Sequence, residues 1–132
     1  MAQMAINLLP FFQHLVIKCG ERGVIVVMRV SSKTKWASEK SNIRERYIVS
    51  SGNGNGDIVV LQHFPANHIP PESITNVTGA GDTLVASILA SLAQNPKGFE
   101  DPESLKKIID DAQAAAALTL QSEFAVSPLL SL

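Results

Sequence analysis

Seven consecutive residues, Val24 to Val30 (VIVVMRV), are apolar at every position but Arg29. A strand shows alternate side chains to opposite faces, so a run this apolar reads as a strand covered on both sides. His14 to Lys18 (HLVIK) reads as the strand before it. Cys19-Gly20-Glu21-Arg22-Gly23 between them reads as a tight turn, which makes the pair a hairpin.

The chain has 132 residues, the length of one domain or part of one. Apolar residues are 45% and charged residues 17%, a globular composition. Eleven basic against twelve acidic residues leave a formal charge of −1, so no basic surplus points to nucleic acid or an acidic membrane. One cysteine excludes an internal disulfide framework and a cysteine-rich zinc site. Apolar stretches fall short of the ~20 residues that span a bilayer. The opening MAQMAINLLPFFQHLVIK has no basic start of a secretory signal. The expected compartment is the cytosol or another reducing space.

Ala2 to Leu9 reads as a short helix stopped by Pro10. Ser31 to Arg46 reads as an irregular excursion. The charges of Lys33, Lys35, Glu39, Lys40, Arg44, Glu45 and Arg46 are expected on a solvated surface. Tyr47 to Ser50 and Ile58 to Phe64 read as strands around a Gly/Asn turn, and Pro65 to Pro71 as an extended connection. Leu84, Val85, Ile88, Leu89 and Leu92 form one apolar stripe on a helix starting near Asp82 and ending at Asn95-Pro96. A second helix runs from about Pro102 to Gln121, with Asp101 as its cap. Its inner face is Leu105, Ile108, Ile109, Ala112, Ala115, Ala116 and Thr119. The apolar tail, Phe124 to Leu132, is expected to pack on the body.

The chemistry concentrates in Asn76-Val77-Thr78-Gly79-Ala80-Gly81-Asp82, just before the first long helix. Gly79 and Gly81 open backbone conformations closed to other residues and let a ligand approach the main chain. Unpaired N–H groups and the helix dipole at a helix start attract an anion, typically phosphate. A carboxylate beside such a cradle can accept the proton of an attacking hydroxyl. An anion cradle and a base within a few residues make a phosphoryl-transfer arrangement. A lone Asp in this place would more often be a helix cap.

The string TGAGD resembles the C-terminal signature of the ribokinase, or PfkB, family of ATP-dependent sugar and nucleoside kinases. That resemblance implies that Gly79, Ala80 and Gly81 form an anion hole with Asp82 as catalytic base. Lys18-Cys19-Gly20-Glu21-Arg22-Gly23-Val24 looks like the family's strand–turn–strand along the nucleotide. Asp111 to Leu118 looks like its alanine-rich helix beside adenine. Lys18, Gly20, Gly23, Thr78, Gln113 and Ala116 are the nucleotide-binding residues so implied, with magnesium arriving on ATP. The implied fold is α/β, part of a ribokinase-like three-layer architecture: a hairpin, further strands and two or three helices. Finer likeness points to pseudouridine kinases, which fungi fuse to a pseudouridine-5′-phosphate glycosidase.

Family members run to about twice this length, within ordinary enzyme-domain sizes. Residues 1–132 are therefore expected to be the C-terminal part of a kinase domain, whose missing N-terminal half supplies the lid and most acceptor contacts. The alternative is a non-catalytic nucleotide-binding or regulatory fragment. Asn76 stands where the family usually has Asp, and Phe124 where it often has a small residue, which weighs against potassium activation. Cys19 reads as a buried structural thiol. His63 and His68 lack partners at metal-ligand spacing, so no metal site of the protein's own is expected. No P-loop string GxxxxGK[ST] is present.

Overall fold

The computed structural model describes residues 7, 12–39, 46–50, 57–74 and 79–121. Among the described residues are a four-stranded antiparallel sheet and two long α-helices, a small α/β fold. Contacts divide the chain into a strand unit, residues 1–65 with 100–102, and a helical unit, residues 66–99 with 103–132. Of the expected opening helix only Asn7, which is helical, is described. The Gly/Asn turn at 51–56, the segment 75–78 and the tail from 122 lie outside the described residues.

In the strand unit, β1 (His14–Lys18), β2 (Val24–Ser31), β3 (Arg46–Ser50) and β4 (Asp57–Phe64) assemble in the order β1-β2-β4-β3. β2 pairs with β1 from Lys18↔Val24 to His14↔Met28, and with β4 from Val24↔Phe64 to Ser31↔Asp57. β3 lies outside β4, with Ile48 opposite Val60. The central place of β2 explains its composition. Val24, Val26, Val27, Met28 and Val30 are all buried, so both faces are covered. On one face Val27 packs with Leu15, Ile17, Ile25, Val59 and Leu61. Tyr47 and Val49 extend that face at the sheet edge, where they are exposed.

The excursion after β2 holds a 3-10 turn, Lys35–Ser38, and Trp36 within it has no exposed surface. Arg46 corrects the expected solvated charge cluster: its side chain is only 12% exposed. Its guanidinium ion-pairs with Glu39 at 2.8 Å, lies over the Trp36 ring and donates from Nε to Gln62 Oε1 at 2.9 Å. Lys35 pairs with Asp101 at 3.4 Å and is exposed, as expected. Lys40, Arg44 and Glu45 lie outside the described residues.

The helical unit has α1 (Ala80–Gln94) and α2 (Pro102–Leu120). On α1, Leu84 and Ile88 are buried, but Val85 and Leu89 of the expected stripe are exposed. On α2 the inner face is as expected: Leu105, Ile108, Ile109, Ala112 and Thr119 are buried, and Ala115 and Ala116 half-buried. Its outer face carries the i,i+4 pairs Lys106–Asp110 and Lys107–Asp111. Among the described residues no helix is long and apolar enough to cross a membrane.

Candidate active site

α1 begins two residues earlier than its apolar spacing predicts. Gly79 is the N-cap, at φ 86° and ψ −9°, in the left-handed region that favours glycine. Its carbonyl accepts the Thr83 N–H at 2.8 Å, the first bond of the helix. Ala80, Gly81 and Asp82 are then the first three helical residues, whose N–H groups have no acceptor inside the helix. Gly81 accordingly has an ordinary helical backbone rather than a positive φ. Its value to a ligand is its missing side chain, not an unusual conformation.

Asp82 is exposed in that first turn. It is not the N-cap, and no described residue bonds its carboxylate. A carboxylate here stands beside outward-facing amides and is open to an incoming hydroxyl. Thr83, next to it, is buried, and its hydroxyl meets that of Thr119 on α2 at 2.9 Å. No spacing in the sequence links these two positions, 36 residues apart. The one signal was a pair of threonines, indifferent helix formers, on faces otherwise built of alanine, leucine and isoleucine. Gln113 and Ala116 lie half-buried on α2. Thr78, with Asn76, falls outside the described residues, as does Phe124.

The other expected nucleotide residues are in the strand unit. The β1–β2 turn is a 3-10 turn, Gly20–Arg22, closed by the Cys19 N–H donating to the Gly23 carbonyl at 2.8 Å. Gly20 has φ 59° and Gly23 φ 97°, so both glycines are demanded by backbone conformation. A Cβ on Gly20 would meet no atom within 4 Å, so the turn is open to an approaching ligand. Lys18 is exposed at the end of β1. Cys19 is half-buried rather than buried, its thiol 3.7 Å from the Ile17 carbonyl. His63 is held by the Arg22 carbonyl at 2.6 Å. Among the described residues no three His, Cys, Asp or Glu side chains converge on a possible metal position.

The head of α1 is thus a glycine turn in the left-handed region feeding a helix with a carboxylate in its first turn. The chain belongs to the pfkB family of carbohydrate kinases, whose family model matches residues 30–131. It is 30% identical over 126 residues to a pseudouridine-metabolizing bifunctional protein of Schizosaccharomyces pombe. It is 29% identical over 119 residues to a fructokinase of Salmonella thompson. The first match takes in 96% of this chain and the second 86%. The chain spans 14% of the length of the first relative and 52% of the second.

Proposed function

We propose that this chain carries the phosphate-handling part of an ATP-dependent kinase that phosphorylates a sugar or nucleoside hydroxyl. The observation that supports this most is the head of α1, where Gly79 turns the chain and the amides of Ala80, Gly81 and Asp82 point outward. These amides would hold the transferred phosphoryl group, and Asp82 would take the proton of the attacking hydroxyl. Gln113 and Ala116 on α2 would contact the nucleotide base. In the strand unit, the open turn at Gly20 and Gly23, with Lys18, is a separate candidate for nucleotide contact. Magnesium would arrive on ATP and offset the charge that develops in transfer. Pseudouridine and fructose are the first acceptors to try, on the names of the two relatives.

The share of the relatives that the chain spans favours a second reading, a nucleotide-binding part without the acceptor contacts. Transfer requires the hydroxyl to be held in line with the γ-phosphate, which an anion cradle and a base do not accomplish alone. A coupled ADP-release assay on the purified chain, with pseudouridine, fructose, ribose and adenosine, separates the readings. Acceptor-dependent release that Asp82→Asn abolishes supports the kinase. ATP binding without acceptor-dependent release supports the binding part. A chain that neither binds ATP nor releases ADP refutes both.

A further inference from the structure

Thr83 is 6% exposed and Thr119 fully buried. A buried hydroxyl is costly unless bonded, and each of these is bonded. Their oxygens lie 2.9 Å apart, and Thr119 Oγ1 lies 3.3 Å from the Ala115 carbonyl one turn back on α2. A hydroxyl has a single proton. The pair can run in either direction, and Thr83 donating to Thr119 with Thr119 donating to Ala115 is the order that gives both protons an acceptor. The main chain of Thr83 is engaged as well, since its N–H closes the Gly79 turn. One residue therefore completes the first turn of α1 through its backbone and ties that turn sideways to α2 through its side chain.

Packing alone does not ask for this. Valine has nearly the shape of threonine, and two facing valines would bury the same space while leaving the helices free to slide or roll. The hydroxyl pair adds direction. Its two ends are also informative: Thr83 adjoins Asp82, and the chain of protons ends on Ala115, which adjoins Ala116. We propose that Thr83 and Thr119 are a positioning pair that fixes the roll of the first turn of α1 against α2, and with it the aim of the Gly79–Asp82 cradle. This rests on the reading of that cradle as a phosphate site. An error of about 1 Å in such a group is enough to cost roughly a hundredfold in a transfer reaction.

The test compares Thr83→Val, Thr83→Ser and Thr119→Val with Ile88→Val, a core change one turn further along the same helix. ATP affinity is read by titration calorimetry, and amide hydrogen exchange is read along residues 79–84. We expect Thr83→Val and Thr119→Val to weaken ATP binding by roughly tenfold and to speed exchange in the first turn of α1. Thr83→Ser should restore both. Ile88→Val should lower the melting temperature while leaving ATP affinity and first-turn exchange as in the wild type. ATP binding by Thr83→Val that matches Ile88→Val, or no rescue by serine, overturns the proposal. If the wild type itself binds no ATP, the phosphate reading fails separately, and exchange decides the pair. Faster exchange confined to 79–84 and reversed by serine then upholds the positioning role; unchanged or chain-wide exchange refutes it.

Discussion

The guanidinium carbon of Arg46 lies 5.1 Å from the centre of the Trp36 ring, a cation stacked on an indole with no exposed surface. Stacking, the Glu39 ion pair and the Gln62 hydrogen bond act together on a side chain almost out of solvent. This is where a planar, forked cation differs from lysine. Arg46→Ala should destabilise the strand unit by about 1–3 kcal/mol, and Arg46→Lys should recover less than half of that. Urea unfolding of the three proteins checks it. Equal midpoints for alanine and arginine would show that the cluster contributes nothing.

Asp82→Asn should keep the amide cradle and lose the base. In a preparation that turns over, kcat should fall by roughly 10²–10⁴ with ATP affinity little changed. Undiminished turnover would remove Asp82 from the mechanism.

The two glycines of the cradle should respond oppositely to alanine. Gly79 sits at positive φ, so Gly79→Ala should cost about 1–2 kcal/mol of stability. Gly81 is helical, so Gly81→Ala should leave stability unchanged or raise it by up to about 1 kcal/mol. A methyl group there should still weaken ATP binding by crowding the cradle. Thermal melts paired with ATP titrations separate these effects, and matching melts for both variants would contradict the backbone assignment.

A Cβ on Gly98 would stand 2.5 Å from Ile108 Cδ1. Gly98→Ala should therefore destabilise the helical unit by about 1–3 kcal/mol, unless the isoleucine tip turns aside. Ile108→Val removes that very atom. In its background Gly98→Ala should cost clearly less, and a double-mutant cycle measures the coupling. Additive losses would mean that the two residues do not meet.

Burial pulls the His14 imidazole below the ordinary histidine value, and Glu100 partly opposes the shift. The folded chain then binds this proton less well than the unfolded chain. Stability should be full above the unfolded value, about 6.5, and decline as pH falls below it, until the folded histidine also protonates. His14 is an exposed residue, so the effect should be modest. Melting temperatures from pH 7.5 to 5 should slope more in the wild type than in His14→Asn. Parallel curves would assign the slope to other groups.

Local pattern determined much of what was readable. The bounds of β1 follow from HLVIK meeting a turn in which both glycines need positive φ. α2 was legible because proline starts it and its buried positions keep helical spacing. The start of α1 is not fixed by spacing, because glycine accepts helical and left-handed backbone alike, so Gly79 and Gly81 look identical in one dimension. The strand order was not legible either. Pairing of β2 with β4 rather than β3 depends on contacts across the whole excursion, and no local spacing encodes it. The same applies to Arg46, which looks like a surface charge until Trp36 and Glu39 are brought beside it. Among the proposed site residues, motif spacing found Asp82 and its glycines, whereas the Thr83–Thr119 bond depends on how two distant helical turns meet.

The double pairing of β2 also has a kinetic side. Its bond to β1 spans one tight turn, but its bond to β4 must close the excursion from 32 to 56. Closing a flexible loop of that size costs about 3 kcal/mol in chain entropy before any contact offsets it. The β1–β2 hairpin should therefore form early and the β2–β4 ladder late, with the Trp36–Arg46 stack helping to shorten the closing loop. A nascent chain would then carry the finished Gly20–Gly23 turn while one side of β2 still lacks its neighbour. During that interval this valine-rich strand is a template for adding any other unpaired strand, its own duplicate included.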